Sequence, residues 1–300
     1  MNSTTSSARR PRAAAMVAAL GCTMTAVALG PATAEASTGG VYVALGDSDA
    51  AGSVVFPQSE LLTCARSTAN YPSLVAKALQ VQTFRDVTCA SATTKHLTQP
   101  QPGNVVGVAP PQFDALSADT TLVTMSMGGN DIGIADDAYG CVNPFPAAAG
   151  HSCAADFTAG GRDTFVERTD ALAATYGDVL EQIHQRAPHA RVLVVGYQYF
   201  FRPGGCPAAH PISSRDSDYL QQSLSRLNAM VAAQAAAHNA TYVDLEPSTI
   251  NHDACAPVGD RWAEGIIPSP PTGGTSLIPV HPNAAGYENT ARQILAALGH

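Results

Sequence analysis

Short, wholly apolar runs alternate along the chain with longer stretches of helical spacing. Val41-Tyr42-Val43-Ala44-Leu45 is ended by Gly46 and reads as a buried strand. Thr121 to Met127 is a second such run, ended by Gly128-Gly129; Arg191 to Val195 is a third, stopped at Gly196. Thr241-Tyr242-Val243-Asp244 reads as a fourth. Leu74, Val75, Ala78 and Leu79 share one side of a predicted helix over 71–79. A long amphipathic helix is predicted over 165–186 and closed by Pro188, another over 219–238, and a last one over 284–298. Apolar strands alternating with helices mean a parallel sheet covered on both faces, so the fold class is α/β. No internal repeat is present. The Pro/Gly-rich stretches 100–111, 141–161, 203–211 and 257–279 are too short to be interdomain linkers.

Composition narrows the class further. A chain of 300 residues, 45% hydrophobic, suffices for one sizeable core. Disorder needs lower hydrophobicity and more charge than the 13% present, and a heptad array needs far more Glu and Lys. With 16 basic residues against 24 acidic ones, the net charge of −8 opposes a nucleic-acid partner, whose footprint is a basic stripe.

Arg9, Arg10 and Arg12 precede an apolar run over 13–30, followed by Pro31 and Ala34-Glu35-Ala36. This order reads as a secretory signal peptide over 1–36, leaving a domain over 37–300 and an extracellular product. The alternative is a spanning anchor, for which the run is short and rich in Ala, Gly and Thr, so no stable membrane anchor is expected. Arg9-Arg10 suits either the general or the twin-arginine export route. Cys22 lacks the Leu three positions earlier that a lipobox needs, because Ala19 stands there. The six remaining cysteines, an even number in an exported chain, suggest three disulfides among 15 connectivities. Neighbour pairing (Cys64–Cys89, Cys141–Cys153, Cys206–Cys255) is the simplest, since each bridge closes a loop without disturbing strand order. No CxxC or close Cys/His cluster is present, and neither metal nor cofactor is expected.

Ligands of open α/β sheets sit beyond the carboxyl ends of the strands, which directs attention to the residues there. Ser48 follows Gly46-Asp47 at a strand-to-helix turn, where a serine places its hydroxyl at the sheet edge. It reads equally as a helix N-cap. A dinucleotide site is opposed by the missing G-x-G-x-x-G spacing. Asn130 in Gly-Gly-Asn-Asp reads as a turn former or a polar donor. His281, in His-Pro-Asn-Ala-Ala-Gly before the last helix, reads as a loop residue or a base. Turn chemistry does not explain why all three fall at one edge of the sheet.

Val43-Ala44-Leu45-Gly46-Asp47-Ser48, Cys64-Ala65-Arg66-Ser67 with Asn70-Tyr71-Pro72, Gly128-Gly129-Asn130-Asp131 and His281-Pro282-Asn283-Ala284-Ala285-Gly286-Tyr287 occur in that order. Together they resemble the SGNH hydrolases of the GDSL lipase/esterase family, in the secreted three-disulfide branch of actinobacteria. The resemblance implies a single-domain three-layer α/β/α sandwich, flavodoxin-like, with a parallel sheet of about five strands. It implies Ser48 as nucleophile, His281 as general base, and the Ser48 N–H and Asn130 amide as oxyanion donors. A hydroxyl is a weak nucleophile until a base takes its proton. The oxyanion then needs fixed donors, each worth on the order of 3 kcal/mol.

Two departures from the family pattern matter. The family's Cys-Ser-Gly-Ala-Thr block is Cys89-Ala90-Ser91-Ala92-Thr93 here, so Ser91 takes the position of a backbone oxyanion donor. A backbone donor survives a side chain unless the site needs positive φ or lacks room for Cβ. The Asp three residues before the His is Ile278 here. Losing that carboxylate costs about 10⁴ in kcat in a serine-protease triad, so another group must hold the ring. The expectation is a Ser-His dyad with the Ile278 carbonyl orienting His281; Asp260 or Asp253 is the alternative. Asp47 and Asp131 resemble structural aspartates of the family. Asp49 is expected to remain solvated, or else to repel anionic substrates or raise the pKa of His281.

Tyr197, Tyr199, Phe200 and Phe201 read as core aromatics under the Cys206 loop or as part of an acyl groove. The Cys141–Cys153 loop should rim the same cleft. No lid helix is evident, so interfacial activation of the lidded-lipase kind is not expected. The implied substrate is a carboxylic ester with a short to medium acyl chain, small or lipid, and the enzyme is expected as a monomer. Phospholipase A-type cleavage at the same site is one alternative. A catalytically inactive secreted binding protein on this scaffold is the other.

Overall fold

The structure is a computed structural model that describes residues 1–2, 40–143, 151–267 and 278–300. Five strands form its central sheet: β1 (Val41–Gly46), β2 (Thr83–Asp86), β3 (Thr120–Ser126), β4 (Arg191–Val195) and β5 (Thr241–Val243). They are all parallel and lie in the order β2-β1-β3-β4-β5. The order is that of flavodoxin-like folds, in which it reverses direction between β1 and β3 and opens a crevice at their carboxyl ends. Four of the strands are the apolar runs of the sequence. The edge strand β2, Thr-Phe-Arg-Asp, carries no such run: Arg85 and Asp86 interrupt it, and all four residues stay half-buried.

Four long helices cover the sheet: α1 (Tyr71–Leu79), α2 (Thr164–Arg186), α3 (Ser214–Ala237) and α4 (Ala284–Leu298). Each starts at a polar cap, Asn70, Asp163, Ser213 and Asn283 respectively, whose side chain accepts from a first-turn N–H. The third helix begins five residues before its predicted start, because Ser214-Arg215-Asp216-Ser217-Asp218 shows no apolar periodicity while Ser213 caps it. Strand alternation sorts the two faces. Tyr42 and Ala44 pack with Val75, Leu79, Tyr287 and Ile294 of α1 and α4. Val43 and Leu45 pack with Leu172, Leu180, Leu224 and Leu227 of α2 and α3 on the other side. Each such buried aliphatic side chain contributes about 1.5–3 kcal/mol.

Disulfides join Cys64–Cys89, Cys141–Cys153 and Cys206–Cys255. All six half-cystines lie in segments that leave the carboxyl ends of β1 to β5, so the bridges tie together the loops at that edge. Among the described residues no helix is long and apolar enough to cross a membrane. The signal-peptide reading over 1–36 falls on positions that, beyond Met1 and Asn2, lie outside the described residues.

Candidate active site

The turn after β1 is held at nearly every polar group. Gly46 has φ 151°, and a Cβ there would stand 2.7 Å from the Ser126 carbonyl oxygen, so only glycine lets β1 leave the sheet this tightly. Its N–H donates to Gln112 Oε1 (2.8 Å) and its carbonyl accepts from Gln112 Nε2 (2.9 Å). Asp47 N–H donates to the Ser126 carbonyl (3.0 Å). The Asp47 carboxylate caps the short helical turn Ser48–Ala51, accepting from Asp49 N–H (2.9 Å), and accepts from the Tyr197 hydroxyl (2.5 Å). Tyr197 in turn accepts from Gly129 N–H (2.7 Å), which links β1 to the loop after β3. Ser48 opens the helical turn, where backbone N–H groups have no intrahelical acceptor.

His281 arrives from the far end of the chain. Its carbonyl accepts from Glu264 N–H (2.9 Å), Val280 N–H donates to the Glu264 carbonyl (3.1 Å), and Asn283 N–H donates to the Trp262 carbonyl (3.0 Å). This antiparallel pairing sets the ring so that Nε2 lies 2.7 Å from Ser48 Oγ. Nδ1 lies 2.8 Å from the Pro279 carbonyl. A carbonyl only accepts, so Nδ1 carries the proton and Nε2 of the neutral ring accepts from the serine hydroxyl.

The orienting carbonyl is therefore that of Pro279 and not of Ile278. Val280 adopts a left-handed conformation (φ 56°), and the resulting turn swings the later carbonyl back onto the imidazole. Asp253 is instead engaged by Arg202 (2.9 and 3.0 Å), and neither it nor the Asp260 carboxylate bonds to His281. Burial pushes the His281 pKa below that of an ordinary histidine; the Pro279 carbonyl and the Asp47 charge oppose this in part.

Asn130 sits in the helical turn Gly129–Ile132 and donates one amide N–H to the Ala92 carbonyl (2.9 Å), which leaves its second N–H for another acceptor. Asp131 accepts from Thr94 N–H (3.0 Å) and from its hydroxyl (2.5 Å), so both residues grip the 89–94 turn. Within that turn Ser91 has φ 64°, the left-handed region that glycine takes freely. Ser91 is exposed and stands beside the cleft rather than among its lining residues.

Asp49 is half-buried, contrary to the solvated position expected of it. The Asp47-capped turn directs it against the cleft and against a small chamber shared with Tyr71, Gln198 and Thr290. Burial pushes its pKa up to about 7. Asp47 rises to about 8, first through burial and then through the Asp49 charge.

The cleft around Ser48, Asn130 and His281 offers about 450 Å³ of space, the open solvent at its mouth included. Ile134, Ala135, Ala138, Phe200, Phe201 and Leu224 form its apolar wall. Tyr197, Phe200 and Phe201 are buried and also belong to the main core, so the two readings of these aromatics coincide. Tyr199 is half-buried and turned elsewhere, its N–H on Thr249 Oγ1 (2.9 Å). Ala135 and Ala138 lie on the short helix that leads into Cys141; positions 144–150 of that loop lie outside the described residues. One group of metal-type atoms is present among the described residues, Cys206, His210 and Cys255 within 4.8 Å, but its two sulfurs are bonded to each other. Sequence reasoning missed Gln112, whose side-chain amide reaches the Gly46 main chain across 66 positions, and Trp262 and Glu264, which act through their main chain; contacts over such separations leave no local signal.

A serine hydroxyl bonded to a histidine at the switch point of a flavodoxin-like sheet defines the class of α/β hydrolytic enzymes. The chain belongs to the GDSL-like lipase/acylhydrolase family, which it matches over residues 44–288. It is 38% identical over 265 residues to Lipase 2 of Streptomyces coelicolor, covering 86% of this chain and 85% of that protein. Among solved structures, it is similar to the extracellular lipase of Streptomyces rimosus (TM-score 0.68, 25% identity) and to phospholipase A1 of Streptomyces albidoflavus (TM-score 0.66, 26% identity). Each comparison covers 86% of this chain and 99% of the other. The chain is a GDSL-family lipase or esterase with three disulfides and a five-stranded parallel sheet.

Proposed function

We propose that this chain is a secreted, metal-independent ester hydrolase that works through an acyl-enzyme on Ser48 with a Ser-His dyad. The 2.7 Å contact between Ser48 Oγ and His281 Nε2 carries the reading, with the proton fixed on Nδ1 by the Pro279 carbonyl. Ser48 Oγ attacks the ester carbonyl carbon as His281 Nε2 takes its proton. The tetrahedral oxyanion is received by the N–H groups of Ser48 and Ser91 and by the free amide N–H of Asn130. Collapse expels the alcohol, protonated by His281; the same imidazole then activates water to release the acid and restore Ser48. A depressed His281 pKa keeps the base neutral and ready below the ordinary histidine range.

The apolar wall suits a short to medium acyl chain. Phospholipid esters are a second reading, favoured by likeness to the Streptomyces albidoflavus phospholipase A1. Disulfides, likeness to an extracellular lipase and the N-terminal sequence pattern support secretion with cleavage after Ala36; the mature domain is read as a monomer.

The test is p-nitrophenyl butyrate turnover with EDTA and with a serine-directed fluorophosphonate. EDTA should leave the rate intact, and the fluorophosphonate should abolish it while labelling Ser48. Ser48→Ala and His281→Ala should each lose at least about 10³-fold in kcat with unchanged folding. Full turnover in Ser48→Ala would refute the assignment.

A further inference from the structure

Two small hairpins lie beside the catalytic turn. One pairs Gln58–Glu60 with Arg66–Ser67, the other Gln101–Pro102 with Val108–Ala109. Their tips are bonded to each other: Asn104 N–H donates to the Thr63 carbonyl and Val105 N–H to the Leu62 carbonyl, both at 2.9 Å. The joined tips expose Leu61 (45%), Leu62 (50%), Val105 (70%), Val106 (53%) and Val108 (65%). Water offers apolar side chains nothing in these positions, and a grouped display of them marks a surface that meets another phase or partner.

We propose that these joined tips are a lipid-docking surface that seats the enzyme on a neutral or zwitterionic lipid phase. The proposal rests on the ester-hydrolase reading and deepens it by naming how a water-insoluble ester reaches the site. Two observations select this occupant. The first is charge: no charged residue occurs between Leu97 and Phe113 or between Leu61 and Ala65, and the flanking Glu60 and Arg66 pair at 3.2 Å. A neutral display on a chain of net charge −8 fits an uncharged or zwitterionic interface and not an anionic one.

The second is continuity with the site. The Cys64 carbonyl, two residues from Leu62, accepts from Ala90 N–H (2.9 Å), and Cys64 is bridged to Cys89. From the other hairpin, Gln101 Nε2 donates to the Ala90 carbonyl (2.7 Å). Ser91 is the next residue, and Ala92 is held by Asn130. Both hairpins therefore stand on the turn that the mechanism uses to receive the oxyanion, which puts a docked lipid surface at the edge of the cleft.

The experiment separates docking from chemistry. The secreted, processed Ser48→Ala protein is floated with dioleoyl phosphatidylcholine vesicles, alone and with Leu62→Asp plus Val105→Asp; Leu62→Ser plus Val105→Ser covers the case of a folding defect. The parent should float with the vesicles, and the paired substitutions should lower the bound fraction about tenfold. In the Ser48 enzyme the same substitutions should leave soluble p-nitrophenyl acetate turnover within about twofold while cutting turnover of an emulsified ester about tenfold. Docking is overturned if the parent does not float or if the substituted proteins float equally. It is also overturned if the parent self-associates through these residues instead of binding vesicles. Failure of all ester turnover would instead sink the hydrolase reading, because flotation is read without turnover.

Discussion

The turn that carries Ser48 and the turn that carries His281 meet at 2.7 Å, yet they are held by different means. The serine turn hangs on side chains: Asp47, Tyr197 and Gln112 satisfy its polar groups, and all three are buried. The histidine turn hangs on main chain. Residues 262–264 pair with 280–283 through backbone N–H and carbonyl groups, and a carbonyl also orients the ring. A turn fixed by side chains is written in residue types and is fragile to substitution. A turn fixed by backbone is silent in the sequence and tolerant of it.

Breaking each anchor in turn should expose the contrast most strongly. Asp47→Ala strands the buried Tyr197 hydroxyl and the Asp49 N–H, at about 1–3 kcal/mol for each unsatisfied group. A loss of about 2–4 kcal/mol in denaturant unfolding, with activity falling as the Ser48 turn loosens, is expected. Glu264→Ala removes only a 3.4 Å contact to Asn283 and leaves the backbone pairing whole, so it should cost under about 1 kcal/mol. Equal losses from the two variants would dissolve the distinction.

A second effect is one of pH. Asp47 and Asp49 have folded pKa values raised to about 8 and about 7, above their unfolded values. Their neutral forms favour folding at acid pH, and that contribution fades as pH rises from the unfolded carboxyl pKa through 7 and 8. Melting temperature should drop between pH 5 and pH 8.5, and Asp49→Asn should flatten the drop; a wild-type profile rising over this window would contradict it. The base in the histidine turn moves the other way: the acid limb of kcat/KM should lie below an ordinary histidine's pKa.

The smallest effect is expected at the donor turn between the two. Ser91→Gly relieves a left-handed non-glycine residue, which costs about 1 kcal/mol, and should raise the melting temperature by about 2–4 °C with the backbone N–H retained. A lower melting temperature would mean that the serine side chain stabilises the turn.

The same contrast explains what the sequence could and could not tell. The three central strands were legible because burial on both faces makes them apolar runs, and the edge strand β5 because Thr-Tyr-Val is β-branched and aromatic throughout; β2, the other edge, was not, because Arg85 and Asp86 break its pattern. Ser48, Asn130 and His281 each read equally as turn or cap residues by position; falling together at one edge of the sheet and the resemblance to the GDSL family drew attention to them. The carbonyl on Nδ1 was placed one residue early, at Ile278, because the left-handed turn at Val280 comes from pairing with distant residues 262–264. Asp49 was expected in solvent because its burial depends on the Asp47 cap, itself held by Tyr197 from 150 positions away.

The Pro279 carbonyl has a consequence for anyone scanning this protein by mutagenesis. If the group steering the imidazole and two of the three oxyanion donors belong to the polypeptide itself, replacing amino acids one at a time will not remove them. A saturation map of activity would then light up Ser48, His281, Asn130 and the side chains that hold the serine turn, such as Asp47, and leave the backbone groups dark. Only chemistry that alters the peptide bond, such as an ester-for-amide exchange at Ser48 or Ser91, would reveal those parts.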